Sequence, residues 1–180
     1  GLSGPGPKAG GPLYVNRFRR TADAERHETP EGKTVSLGDL QSAIDGLDAR
    51  NWAVRPNRIE VLRKALSGKG GVIRKALAET AALDMTPQTL PGPTGESNRL
   101  AMYPKGVVLC LGPTLDIAIA QAAQALGAGC AAVVVTPGAE QAVKPLTDAG
   151  APVAGLDGSV SAETLSEVKG IAAVAAAGAS

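Results

Sequence analysis

Aromatic side chains are almost missing from this 180-residue chain: one Trp, two Tyr and one Phe make up 2% of it. With so few ring faces on which bases could stack, single-stranded nucleic acid is a poor ligand. Charge of one sign is missing too. Eighteen Lys and Arg face 17 Asp and Glu, a net +1, so no long-range field attracts DNA, RNA or an anionic membrane. No run of about 18 apolar residues supplies a transmembrane segment, and no charged start followed by an apolar region and a cleavage site resembles a signal peptide. A soluble, cytoplasmic protein is expected.

Histidine and cysteine are equally scarce. The single histidine, His27, sits between Arg26 and Glu28. A metal site needs several convergent ligands, and a His-based nucleophilic site needs a nearby Ser or Cys. Neither is offered, so His27 reads as an exposed linker residue and no metal site is expected. Cys110 and Cys130 fall at the end of one expected parallel strand and the start of the next, at opposite ends of a sheet. A disulfide needs Cα atoms roughly 4.4–6.8 Å apart. Both read as reduced core residues.

The chain is organised around Lys105 to Glu140. An apolar run (Val107 to Leu111), a Gly-Pro-Thr break, an Ala-rich helical stretch (Leu115 to Leu126), a Gly-Ala-Gly stop and a second apolar run (Ala131 to Val135) form a βαβ unit. Upstream, three amphipathic helices are expected. Leu37, Leu40, Ile44 and Leu47 make one apolar stripe with Ser36 as cap and Asp39 three residues on. Asn57 and Glu60 form the next start signal, with Ile59, Leu62 and Leu66 on its buried side. Gly68, Gly70 and Gly71 break that helix, and Ile73, Ala76, Leu77 and Thr80 line the third. The GKGG at Gly68 to Gly71 lacks the preceding strand, the Gly spacing and the Ser or Thr of a phosphate loop, so it reads as a turn.

Turn-rich Leu90 to Asn98 leads into a hairpin strand over Arg99 to Tyr103. After the central unit come a helix (140–149), a short strand (152–154), a helix (162–169) and a last strand (171–176). The alternation implies a Rossmann-like α/β fold, a parallel sheet with flanking helices, preceded by a helical segment and a loop. At the N-terminus, residues 1–12 read as a Gly/Pro loop and Leu13 to Phe18 as a strand-like piece. Arg17, Arg19 and Arg20 then read as a solvated face or an anion clamp. Gly1 opens in loop chemistry and Ser180 closes an unfinished alternation, so a fragment of a longer protein is expected.

The run GLSGPGPKAGGPLY, followed later by LPGPTGESN and a hydrophobic strand, resembles the proline utilisation A family of bifunctional proline-catabolic flavoenzymes. The resemblance implies that residues 1–20 end an aldehyde dehydrogenase module and residues 21–35 form a linker. Residues 36–180 would then form a C-terminal domain of aldehyde dehydrogenase superfamily fold, with a helical lead-in over 36–86 and a truncated Rossmann-like part over 90–180. Trp52, Arg55, Pro56, Arg58, Ile59 and Leu62 are similar to that superfamily's helical W…R…P…R-I…L pattern. Such parents carry FAD and NAD.

The family's chemistry does not carry over to this chain. Where working aldehyde dehydrogenases read P-W-N-F-P, with the Asn on the oxyanion, this chain has Gly112, Pro113, Thr114, Leu115 and Asp116. In place of K-P-S-E, with its Lys on the cofactor ribose, stand Thr136, Pro137, Gly138, Ala139 and Glu140. The F-T-G-S position falls at Ala175 to Ala179, around Gly178. Thr114, Asp116, Thr136, Glu140 and Gly178 are therefore degenerate cofactor positions. No catalytic residue and no cofactor are expected in this chain itself.

Three functions compete. The first is a noncatalytic domain that docks on the catalytic modules of its own chain or of a dimer mate. The second is a dinucleotide- or small-molecule-binding enzyme domain using the helix start near Thr114, where Pro113 removes a donor and Asp116 adds negative charge. The third is an unrelated interaction module.

Overall fold

The computed structural model describes residues 33–176, which fall within one unit. The N-terminal loop, the 13–18 strand piece, Arg17, Arg19, Arg20, His27 and Gly178 lie outside the described residues. Four helices open the described part, not three: α1 (Leu37–Asp45), α2 (Arg50–Ala53), α3 (Arg58–Ala65) and α4 (Gly71–Ala81). Ser36 caps α1 as its sequence suggests, its Oγ accepting from the Asp39 N–H at 3.1 Å. Asn57 does not cap α3. Its Oδ1 instead accepts from Arg55 Nε at 3.0 Å, which takes the side chain away from the helix start. The GKGG stretch is the expected turn: Gly68 adopts φ 82°, and Gly70 is the N-cap of α4.

A hairpin of β1 (Gln88–Leu90) and β2 (Asn98–Leu100) follows. It is earlier and shorter than the expected strand over 99–103, because the first strand's residues Gln88 and Thr89 carry little apolar signal. Tyr103 beyond it is exposed.

The main sheet is built from β3 (Val107–Cys110), β4 (Ala131–Val135), β5 (Val153–Leu156) and β6 (Ile171–Ala175), all parallel, in the order β5-β4-β3-β6. The connecting helices are α5 (Leu115–Gly127), α6 (Ala139–Asp148) and α7 (Ala162–Glu167). Alternate strand residues face opposite layers. Cys110, Ala132 and Val134 pack with α3 to α6, whereas Leu109, Val133 and Val135 pack with Leu40 and Ile44 of α1 and Leu165 of α7. Both faces are covered, which is why β4 reads as an unbroken apolar run. The layer over α1 begins before that helix: Val35 is buried, and Thr34 bridges Ser159.

The C-terminal end of α5 explains the W…R…P…R spacing. The last carbonyls of a helix have no partner within it. Trp52, buried, donates its indole N–H to Leu126 O at 2.8 Å, and Arg58 donates from Nε to Gly127 O at 3.3 Å. Arg58 Nη1 also donates to Ala53 O and Arg55 O, each at 2.7 Å, and Arg55 lies 5.5 Å over the Trp52 ring. A cation at the negative end of a helix adds favourable electrostatics. The pattern is thus a clasp between α2–α3 and α5.

Candidate functional site

In an open parallel sheet, ligands bind outside the carboxyl ends of the strands where the strand order reverses. Here that place is between β3 and β6. The connections from β3 through β4 to β5 run one way across the sheet, and α7 then carries the chain back to β6 on the other side of β3. Three helix starts face this end of the sheet, those of α5 after β3, α6 after β4 and α7 after β5, the last capped by Ser161 Oγ accepting from the Thr164 N–H at 3.1 Å.

At the α5 start the chain's own groups take up some of the donors. The Gly112 N–H donates to Gln121 Oε1 at 3.0 Å, Pro113 has no N–H, and the Ile117 N–H donates to Thr114 Oγ1 at 3.4 Å. Gly112 is there for close packing. A Cβ on it would meet the Ala118 backbone N and would lie 2.9 Å from Ala118 Cα and 3.0 Å from the Ile117 carbonyl carbon. The Asp116 carboxylate is turned toward Gly70 at the start of α4, with Oδ2 3.5 Å from where a Gly70 Cβ would stand.

At the α6 start the chain's own groups again take up donors. Thr136 is buried, its N–H donating to Leu156 O at 3.3 Å and its carbonyl accepting from the Ala139 N–H at 3.1 Å. Gly138 makes the turn with φ 83°, a conformation that costs glycine little. The Glu140 N–H then donates to Asp157 Oδ1 at 2.9 Å, so a carboxylate from the loop after β5 sits where a helix start would receive an anion. Gly155 lets β5 approach: a Cβ there would lie 2.6 Å from Ala139 O. Among the described residues, Asp39, Glu140 and Asp157 line the adjoining crevice together with the cation Lys33.

Thr114 and Asp116 therefore stand together at one helix start, and Thr136 and Glu140 at the neighbouring one. Two residues that matter here were not singled out in the sequence. Gln121 carries a weak signal, as a half-buried polar residue among the alanines of α5. Asp157 carries none, because its role depends on α6 arriving beside it from a different connection.

Neither cysteine is placed for catalysis. Both are buried free thiols, and desolvation pushes Cys110 up to about 12. The thiolate is the reactive form. In a Cys130→Ser variant, Cys110 should stay unreactive toward a disulfide reagent near pH 8 until the chain is unfolded; labelling of the folded protein within minutes would contradict this. Among the described residues, no group of three or more His, Cys, Asp or Glu is placed to hold a metal ion. No helix there is long and apolar enough to cross a membrane.

The class of fold follows from the parallel sheet and the helices that connect its strands. It is a Rossmann-like α/β fold, similar to that of an NAD-dependent benzaldehyde dehydrogenase from Corynebacterium glutamicum at TM-score 0.55 and 17% identity, over 86% of this chain and 51% of that one. A structure of proline utilization A (PutA) with proline bound in remote sites aligns at TM-score 0.62 and 22% identity, over 80% of this chain and 19% of that one.

In sequence, the chain is 35% identical over 133 residues to the bifunctional protein PutA of Klebsiella aerogenes, covering 72% of this chain and 10% of that protein. It is 36% identical over 139 residues to that of Escherichia coli strain K12, covering 72% and 9%. No family model matches. The chain corresponds to a segment of the PutA family, and it spans about a tenth of the length of the curated relatives it matches.

Proposed function

We propose that this segment is a noncatalytic docking domain of a bifunctional proline-oxidising protein, one that couples an FAD-dependent proline dehydrogenase to an NAD-dependent glutamate semialdehyde dehydrogenase. It supports the dehydrogenase module of its own chain or of a dimer mate, and covers the path by which the semialdehyde intermediate passes between active sites. The observation that carries the reading is that the chain's own side chains take up donors at the starts of α5 and α6. Gln121 and Thr114 take donors at α5, and the Asp157 carboxylate takes one at α6.

A dinucleotide brings two phosphates, and the residues here do not fit them. Pro113 offers no donor, Asp116 and Asp157 put negative charge at the two helix starts, and the lysine of the working family is Thr136. With the binding groups replaced and the sheet retained, the remaining role is on the outside of the fold.

The test is removal of residues 36–180 from the parent protein. Each half-reaction, assayed with its own substrate, should keep its chemistry. NADH formation from proline should acquire a lag as the intermediate escapes. Unchanged coupled kinetics would overturn the covering role. Loss of semialdehyde oxidation in a protein whose catalytic modules remain folded would overturn the noncatalytic one.

A further inference from the structure

The near-neutral total hides a strong separation of charge. Residues 50–75 hold eight Lys and Arg against Glu60 alone, a net of +7. Residues 139–167 hold five Asp and Glu against Lys144, a net of −4. Several of the cations are engaged within the fold: Arg50 with Asp48, Arg58 with carbonyls at the end of α5, and Lys75 with Glu79 at 3.8 Å. Arg63, Lys64, Lys69 and Arg74 are different. They are exposed around the turn between α3 and α4, and their side chains make no ion pair or hydrogen bond among the described residues.

The acidic counterpart is the crevice of about 530 Å³ where Asp39, Glu140 and Asp157 stand with Lys33, three carboxylates against one cation among the described residues. Both features lie at the carboxyl end of the sheet. The α3–α4 turn is there because Gly70 stands beside Asp116 in the first turn of α5, and the crevice is there because Glu140 begins α6 after β4. An exposed basic corner and an acidic crevice on one end of one molecule are complementary in charge. A two-fold axis that brings two such ends together puts each corner on the other copy's crevice, and the assembly closes as a dimer.

We infer that the carboxyl end of the sheet is an electrostatic self-association surface, with the Arg63, Lys64, Lys69, Arg74 corner of one copy seated on the Asp39, Glu140, Asp157 crevice of a second copy. A second copy is favoured over a nucleic acid because it presents carboxylates matched to the corner, whereas a polyanion would meet the crevice's own negative charge beside it. The surface stands whether or not the segment docks on catalytic modules. It would also cover the end of the sheet at which a nucleotide enters.

Sedimentation velocity on the full chain tests this. At about 20 mM salt the screening length is roughly 20 Å, and at about 500 mM roughly 4 Å. A dimer is expected at low salt, with its Kd rising at least about tenfold at high salt, as expected for exposed charges beyond the screening length. The Lys64→Glu, Lys69→Glu, Arg74→Glu triple variant and the Glu140→Lys variant should each be monomeric at low salt, with circular dichroism confirming the fold. Mixed in equal amounts, they should recover a heterodimer, because one variant keeps a basic corner and the other an acidic crevice. A monomer at all accessible concentrations at low salt would overturn the inference. So would a dimer that ignores both salt and charge reversal, or binding of duplex DNA by the corner in place of self-association.

Discussion

Replacing Trp52 with Ala should lower the stability of the fold by about 3–5 kcal/mol, the range for truncating a large aromatic in a packed core. Trp52 is only 3% exposed and joins the cluster that includes Leu62, Leu126 and Ala151. Its indole N–H also holds the Leu126 carbonyl at the end of α5, so truncation removes a hydrogen bond along with the ring. Trp52→Phe separates the two contributions. It keeps most of the ring volume and loses the donor, for about 1–2 kcal/mol; the Gly129 N–H still reaches the same carbonyl at 2.9 Å. Urea denaturation followed by circular dichroism measures both. A loss below about 1 kcal/mol for Trp52→Ala would mean that the clasp on α5 is not structural.

The second large effect is expected at Gly112, the residue of the β3–α5 break that a nucleotide-binding reading would assign to phosphate approach. An added methyl meets backbone, the N and Cα of Ala118 and the carbonyl carbon of Ile117, and none of these can turn aside as a side-chain tip would. Gly112→Ala should therefore cost about 1–3 kcal/mol, the usual penalty for overpacking. It should do so with no ligand present. A variant as stable as the parent chain would contradict the packing account and return Gly112 to a role in approaching a ligand.

Most of the sheet was legible in the sequence because a strand covered on both faces must be apolar at every position. β4 occupies Ala131–Val135, the run read from its residues, and α5, α6, β5 and β6 lie within a few residues of their expected bounds. The α2 helix was not legible: four residues are too few for a period, and it is held by Trp52 reaching a carbonyl 74 residues away. The hairpin was displaced for a related reason. Gln88 and Thr89 pair with Leu100 and Arg99 through backbone, which leaves no apolar alternation to read.

The candidate site was legible in the sequence only as an expected loss. Residue types at Thr114, Asp116, Thr136 and Glu140 differ from those that the resemblance implies, but they do not show which groups meet at the helix starts. Asp157 could not have been found from spacing, since it meets Glu140 only after β5 is laid beside β4. The same holds for Gln121 and Gly112, which are nine residues apart and face each other because α5 turns back over β3.

At the starts of α5 and α6 the chain's own side chains stand where a nucleotide phosphate would be received. Titration of NAD into the isotope-labelled full chain, followed by amide NMR, tests it most directly. The account predicts no saturable binding up to about 1 mM, equivalent to less than about 4 kcal/mol of binding free energy, and unmoved signals for Gly112, Ile117 and Glu140. Saturable shifts of those three amides with a micromolar Kd would contradict it.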